Sequence, residues 1–188
     1  MKKTIYIFYA VVSAGLALYM LMPSQNAISE FPSLPNSIKS SLEGDTTQIP
    51  NVVAYFSNNY RSLSVNYFAR NYMMGTFFPF EPLRFNYPPE FAFAAIKDQT
   101  QSTYLEELTY PLRDSLFING LEPFDEITKE KRFAAASDLV ADDGNTYETK
   151  VTLRYYPSKL WVRVSVWFGI NLSVYLLLNL YRKVLINA

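Results

Sequence analysis

The sequence contains no cysteine and no histidine. Their absence excludes disulfide bonds, thiolate and imidazole catalysis, zinc sites of the usual ligand types and c-type haem attachment. We therefore expect neither a metal nor another cofactor, and any catalysis would use Asp, Glu, Ser, Lys or Tyr. An extracytoplasmic domain without cysteine is more typical of a bacterial envelope than of animal secreted proteins.

The sequence also lacks an excess of either charge. The 17 Lys and Arg residues balance the 17 Asp and Glu residues, so the formal net charge is +0. Without a basic field to collect phosphates, nucleic acid is not expected as a partner. Glycine is scarce, and the 6 glycines are too scattered to form a phosphate-binding loop.

Two apolar runs near the ends of the chain predict transmembrane helices. Each reaches, with its flanks, the ~20 residues needed to cross a ~30 Å hydrocarbon layer. About 135 residues lie between them, enough for one extramembrane domain. The predicted segments are a cytoplasmic N-terminus (1–3), a signal-anchor helix (4–22), a connector (23–48), an extracytoplasmic domain (49–158), a second transmembrane helix (159–181) and a cytoplasmic C-terminus (182–188).

Basic residues outside the two runs set the expected orientation. Lys2 and Lys3 precede the first run, and Arg182 and Lys183 follow the second. The positive-inside rule therefore places both termini in the cytoplasm and the domain outside. Cleavage of the first run as a signal peptide is the alternative, although its apolar region is long and residues 25–27 match the cleavage pattern only in part.

Four aromatic residues cluster around the outer boundary of the second run. Amphipathic rings favour the headgroup layer of a bilayer, so these residues predict a domain that lies close to the membrane. They are Tyr155, Tyr156, Trp161 and Trp167. Lys159 and Arg163 on the same flank oppose the charge rule, but their long side chains can extend to the headgroups.

Small residues recur along the second run. Ser165, Gly169 and Ser173 fall at i, i+4 and i+8, which places them on one helix face where another helix can approach closely. Asn171 adds a polar side chain at membrane depth. The first run has its own small residues at the same spacing, so the two helices could pair within one chain or each could meet a partner. Those residues are Ala10 and Ala14, or Ser13 and Ala17.

The central domain is predicted to be α+β, with helices first and antiparallel strands last. Apolar spacing of three and four residues predicts a helix over 49–74, with a strand at 62–67 as the alternative. A short helix is expected at 90–99, and the connector should contain at most two helical turns, at 36–42.

Strands are predicted in the second half of the domain. Strict alternation makes 147–156 the clearest strand, and the Asp-Gly pair within 141–146 predicts a hairpin turn before it. Earlier extended segments are expected at 104–110 and at 115–118, the second ending in an Asn119-Gly120 turn. A helix at 105–112 is the alternative for the first of these.

An aromatic, proline-rich stretch at 77–89 must be covered by something, because it is too apolar for a solvated loop. It packs either against the domain core or against a partner or the membrane surface. Its partner-surface candidates are Phe77, Phe78, Phe80, Arg84, Phe85 and Tyr87.

Few residues suggest chemistry. Glu106, Glu107, Arg113 and Asp114 are the best catalytic candidates, because carboxylates near an arginine can divide acid and base roles. Adjacent glutamates on a strand would point to opposite faces, however. The acidic turn at 138–148 does not match a calcium loop, since Leu139 would occupy the first ligand position.

The sequence therefore favours a non-catalytic accessory or assembly subunit of a larger membrane complex. Its partners would be the lipid bilayer and another membrane protein, or further copies of itself. Two alternatives are a membrane-anchored hydrolase that uses carboxylates and a ligand sensor that signals through partner helices.

Overall fold

The computed structural model describes residues 2–22, 28, 31–46, 51–74, 82–85, 110–133 and 136–187. The elements in chain order are α1 (Lys2–Leu21), β1 (Ser37–Lys39), α2 (Glu43–Thr46), β2 (Val52–Ser57), α3 (Arg61–Met74), β3 (Leu83–Phe85), β4 (Ser115–Leu121), β5 (Leu139–Val140), β6 (Thr146–Tyr147), β7 (Thr149–Tyr156) and α4 (Leu160–Asn187). The segments predicted at 90–99 and 104–109 lie outside the described residues.

The main sheet has five strands in the order β1-β2-β7-β4-β3. Its central strand, β7, pairs antiparallel with both β2 and β4, whereas β3 pairs parallel with β4. The predicted α+β class is confirmed. The expected order of helices before antiparallel strands is wrong, because β1 and β2 precede α3 and the sheet is mixed.

The helix predicted over 49–74 begins too early. Residues Val52–Ser57 form strand β2, and helix α3 starts only at Arg61. β2 lies between β1 and β7 and is buried on both faces, so its sequence does not alternate and its apolar spacing imitates a helix. The alternative strand at 62–67 is also wrong, because those residues lie within α3.

The predicted turn at Asn119-Gly120 is wrong as well, since β4 continues through both residues to Leu121. Gly120 is needed for a different reason. A Cβ atom at this position would lie 2.7 Å from Cγ2 of Val65 and 2.8 Å from Cγ of Arg61, both on α3. The glycine lets α3 approach the sheet closely.

Other strand predictions are confirmed. Residues 115–118 are extended, and the strongest prediction, 147–156, contains β7. β5 and β6 pair as a small antiparallel hairpin around the predicted Asp-Gly turn, in which Gly144 has a φ of +78°. That left-handed conformation suits glycine.

The hydrophobic core lies between α3 and one face of the sheet. Alternate residues of β7 point to this face, as the sequence pattern indicated. Phe68 of α3 stacks on Tyr55 of β2, with ring centroids 5.4 Å apart. The core cluster consists of Phe31, Leu34, Val53, Tyr55, Phe68, Ala69, Tyr72, Leu116, Ile118, Val151, Leu153 and Tyr155.

The expected connector is partly built into the domain. Helical turns at 36–42 are wrong, because Ser37–Lys39 form strand β1 at the edge of the sheet. The following helix, α2, brings Asp45 to a buried ion pair with Lys150 of β7, where the nitrogen and oxygen are 2.9 Å apart. This pair joins the stretch after β1 to the sheet's central strand.

Helices α1 and α4 are long and apolar enough to cross a membrane, by length and composition. Only 11% of the apolar segment in α1 and 0% of that in α4 is buried. Both helices therefore differ from the core helix of a soluble domain, whose apolar residues would be covered by protein.

Candidate functional site

Helices α1 and α4 pack side by side around Asn171. The hydroxyl groups of Tyr9 and Ser13 both donate hydrogen bonds to Oδ1 of Asn171, at 2.7 Å for Ser13. The indole nitrogen of Trp167 donates to the backbone oxygen of Ser13 at 3.1 Å. The side-chain nitrogen of Asn171 donates to the backbone oxygen of Trp167 at 2.7 Å. The oxygen and the nitrogen of the Asn171 side chain are therefore both hydrogen-bonded.

The two helices run antiparallel. Near one end of the pair Arg182 lies over the ring of Tyr6, 5.3 Å from its centroid, and near the other Arg163 donates to the oxygen of Met20. Two pairs of small residues on α1 were candidates for a helix contact: Ala10 with Ala14, and Ser13 with Ala17. The pair that contains Ser13 lies at the contact with α4.

The small-residue strip of α4 lies on the opposite side. Successive residues of an α-helix are turned by about 100°, so Gly169 is about 200° from Asn171. A Cβ atom at Gly169 would meet nothing within 4 Å, and Ser165 and Ser173 are exposed. The strip therefore does not contact α1.

The domain joins the two helices at Asp114, the residue before β4. Oδ1 of Asp114 accepts a hydrogen bond from the guanidinium of Arg163, in the first turn of α4, at 2.5 Å. The same oxygen accepts from the backbone N–H of Ser158 at 2.5 Å. The backbone oxygen of Asp114 accepts from the Tyr72 hydroxyl at 3.2 Å, which connects the junction to α3.

Two arginines bind the carboxyl end of α1. Arg113 donates to the backbone oxygens of Tyr19 and Met22, and its guanidinium lies 4.9 Å from the centroid of the Tyr19 ring. Arg163 donates to the oxygen of Met20 at 3.0 Å. The last carbonyl groups of a helix lack partners within the helix and carry a partial negative charge. The two guanidinium groups therefore cap α1.

We define the junction cluster as Arg113, Asp114 and Arg163. All three are buried, and Arg113 is 0% exposed. Burying charged groups costs free energy unless they are paired or hydrogen-bonded. Arg163 forms an ion pair with Asp114, and Arg113 donates hydrogen bonds to backbone carbonyl groups of α1 and Met22. The cluster fixes the domain relative to both helices.

The catalytic candidates have different positions. Arg113 and Asp114 belong to the junction cluster, where their contacts give them a structural role. Glu106 and Glu107 lie outside the described residues. The structure therefore does not bring the four candidates together in a described site.

The four aromatic residues predicted to lie at the membrane interface have different surroundings in the structure. Tyr155 is part of the hydrophobic core, and Tyr156 is buried at the end of β7. Trp167 bonds to α1, whereas Trp161 is 67% exposed. Only Trp161 has the exposed ring expected of a residue in the headgroup layer.

The partner-surface candidates are only partly described. Arg84 and Phe85 lie on β3, at the edge of the sheet, and Phe85 is exposed. Phe77, Phe78, Phe80 and Tyr87 lie outside the described residues.

A second polar region lies at the other end of the sheet, away from the helices. It is a cleft of about 410 Å³ lined by Asn58, Phe124, Glu126, Lys129, Asp138, Thr146, Tyr147 and Glu148. A hydrogen bond from Lys129 to Glu148 raises the pKa of the lysine. Within the described ranges, no group of three or more Asp or Glu residues could hold a metal ion.

Sequence reasoning missed Arg163 as a functional residue and interpreted it only as a charge on the membrane flank. One available signal was its position in the first turn of an apolar helix, where an isolated arginine needs a partner. The carboxylate that binds it is 49 residues away in the sequence, and no local pattern identifies it.

The fold and the junction define a class of protein: an α+β domain attached through a buried ionic cluster to two apolar helices of membrane-spanning length. In comparisons with protein-family models, with curated proteins and with solved structures, nothing matches the chain.

Proposed function

We propose that the protein is a non-catalytic accessory or assembly subunit of a larger membrane complex in a bacterial envelope. Helices α1 and α4 span the membrane, both termini face the cytoplasm, and the domain lies outside against the membrane surface. The antiparallel contact between α1 and α4 supports this topology, because it brings the basic ends of the two helices to the same side.

The observation that carries the proposal is the junction cluster. A domain that needs only a membrane anchor can be tethered by a flexible linker. Here Arg113, Asp114 and Arg163 instead hold the domain to both helices through buried, charge-assisted bonds. A fixed orientation lets the domain and the helices bind one partner as a single surface.

The face of α4 that points away from α1 is the surface proposed for that partner. Ser165, Gly169 and Ser173 leave it smooth, and close backbone approach between helices in membranes depends on such residues. The contact with α1 uses Asn171 and Trp167, so it leaves this strip available.

The test is recovery of partners from membranes in mild detergent. We expect the tagged chain to bring a stoichiometric membrane-protein partner or a second copy of itself. Gly169→Leu should abolish this recovery, because its side chain fills the strip, while leaving the chain inserted and folded. Phe168→Leu is the matched control, since Phe168 is exposed on the same helix but lies off the strip.

Two results would contradict the proposal. One is recovery of a lone monomer with hydrolase activity that Glu106→Gln abolishes, which would support the carboxylate-dependent enzyme instead. The other is unchanged partner recovery with both Gly169→Leu and Ser173→Leu, which would exclude the strip as the contact surface.

A further inference from the structure

Helix α3 runs along the sheet towards the two apolar helices. Its first residue, Arg61, lies close to Gly120, at the end of β4 that is distant from α4. Near its last turn, the hydroxyl group of Tyr72 donates to the backbone oxygen of Asp114, whose carboxylate contacts Arg163 in the first turn of α4. The carboxyl end of α3 therefore lies at the junction between the domain and the helices.

Met74, the last residue of α3, lies beyond this contact. Side chains on an α-helix slope back towards its amino end, so the Tyr72 hydroxyl group reaches Asp114 from a backbone position further along the axis. Met74 follows two residues later and is 82% exposed. The end of α3 thus places an exposed apolar side chain at the level where α4 begins.

Exposed apolar residues of two other elements lie at the same level. Leu21 is the last residue of α1, and Leu160 and Trp161 begin α4. All three are exposed, and the bond from Arg163 to the oxygen of Met20 brings these two helix ends together. A single exposed apolar residue needs no explanation, but here three elements present such residues at one end of the domain. The flat edge of a lipid layer covers all of them at once.

A positive charge lies one turn behind Met74 on the same face of α3. Arg70 precedes Met74 by four residues, which is about 6 Å along the helix axis, and Arg70 is also exposed. The headgroup layer of one leaflet is about 5–7 Å thick. With Met74 at the edge of the hydrocarbon, Arg70 lies among the lipid phosphates, which guanidinium groups bind well.

We propose that the carboxyl end of α3 docks on the bilayer, with Met74 inserted at the edge of the hydrocarbon layer and Arg70 bound to a lipid phosphate. The inference rests on the proposed insertion of α1 and α4, which sets where the bilayer begins. It adds a contact with lipid that the domain itself makes, outside both spanning helices. Lipid and the junction cluster then hold the domain together.

The test measures the depth of single spin labels on the full-length chain in phosphatidylglycerol liposomes. The native chain has no cysteine, so Met74→Cys gives one position for a nitroxide label. Oxygen concentrates inside a bilayer, whereas a water-soluble nickel chelate stays outside, and the ratio of their collision rates with the label reports its depth. We expect a high ratio for Met74→Cys, close to that of Trp161→Cys.

Ile127→Cys is the matched control for exposure. Ile127 is apolar and 87% exposed, and it lies in the loop after β4, at the end of the sheet distant from α4. Its label should therefore have a low ratio of oxygen to nickel collisions. Equal ratios at Met74 and Ile127 would overturn the proposal, because exposure alone would then explain the result.

Phe168→Cys is the control for insertion of the spanning helix. Phe168 is exposed on α4, further along the helix than its first turn, so its label should have the highest ratio. A low ratio at Phe168 would contradict the insertion of α4 and overturn both the proposed function and the docking of α3. A high ratio at Phe168 with a low ratio at Met74 would overturn the docking alone.

Arg70→Gln in the labelled Met74→Cys chain tests the contact with phosphate. We expect it to lower the ratio at Met74 in phosphatidylglycerol liposomes, whereas Lys131→Gln, which removes an exposed charge at the distant end of the sheet, should not. An unchanged ratio with Arg70→Gln would overturn the phosphate contact. Protection of the Met74 label from both oxygen and nickel would mean that protein covers this end of α3, and would overturn the lipid contact.

Discussion

A single carboxylate oxygen connects three parts of the chain. Oδ1 of Asp114 binds Arg163 on α4 and the backbone N–H of Ser158, while Asp114 itself immediately precedes β4. Removing a buried carboxylate of this kind leaves its partner charge buried and unpaired, which is unfavourable. Asp114 therefore contributes more to the stability of the fold than an exposed carboxylate would.

Asp114→Asn should therefore destabilise the protein strongly. The asparagine has the same shape but leaves the buried Arg163 without its counter-charge, which typically costs about 3–5 kcal/mol. The measurement is unfolding by denaturant in detergent. Asp138→Asn serves as the control, since Asp138 is exposed and should change stability by no more than about 0.5 kcal/mol. Equal stability of the two variants would contradict a structural role for Asp114.

The hairpin turn contains a carboxylate with a shifted pKa. The pKa of Asp143 is lowered from 3.8 mainly by the backbone N–H of Asn145, and also by the Asn145 side chain and the Tyr147 hydroxyl. A lowered pKa in the folded state means that these bonds stabilise the turn fully above pH 3.8. That stabilisation is lost as the pH falls through the lower folded pKa.

Titration of Asp143 by NMR should accordingly give a midpoint below 3.8. The same acid range should broaden or shift the amide signal of Asn145, because its acceptor becomes protonated. Asp143→Asn should remove that pH response of the amide. A midpoint at or above 3.8 would show that the turn does not hold the carboxylate as described.

At the scale of secondary structure elements, the contact between α3 and β4 depends on a glycine. Gly120→Ala would place a methyl group within 3.0 Å of side-chain atoms of Val65 and Arg61. Overpacking of this kind usually costs about 1–3 kcal/mol. We expect a lower unfolding temperature in a thermal melt.

Gly169→Ala is the matched control for this prediction, because a methyl group there meets nothing within 4 Å. It should leave the unfolding temperature nearly unchanged. If Gly120→Ala is as stable as this control, α3 does not approach β4 as closely as the structure indicates.

Strands β7, β2 and β4 show which parts of the fold can be predicted from the sequence. Strand β7 was predictable because one of its faces is buried by α3 and its residues alternate. β2 was not, because it is buried on both faces and its apolar residues fit helical spacing equally well. Asn119-Gly120 is a turn signal locally, and only the packing of α3 shows that the glycine serves a strand.

The functional residues were predictable to a smaller extent. Asn171 was singled out as a polar residue in an apolar run, and it accepts hydrogen bonds from Tyr9 and Ser13. The partners in these contacts are more than 150 residues apart in sequence. Spacing within one helix can show that a face is unusual, but it cannot show which distant element covers that face.

At the scale of the whole molecule, α1, α4 and the domain form one connected unit. Asn171 joins the two helices in their middle, and the junction cluster joins them to the domain at one end. Because these contacts act at different levels along the helices, they fix both the pairing of the helices and the orientation of the domain.

Orientation in the membrane can be tested with single cysteines, since the native chain has none. Asn145→Cys in the hairpin turn should react with an impermeant thiol reagent in intact cells, because the positive-inside rule places the domain outside. Asn187→Cys should react only after the membrane is permeabilised. The reverse pattern would contradict the proposed topology.

The last prediction concerns the pairing of α1 with α4. Ser13 and Asn171 are joined by a 2.7 Å hydrogen bond, so cysteines at both positions should be joined within one chain by a short bifunctional thiol reagent. Ser13→Cys combined with Gly169→Cys should not react in this way, because Gly169 lies about 200° around α4 from Asn171. The product is detected as a monomer of altered mobility after denaturation. The opposite result would be efficient cross-linking of the Ser13 and Gly169 pair within one chain and none of the Ser13 and Asn171 pair. It would mean that α1 packs on the small-residue strip of α4, so that the strip is not available to a partner.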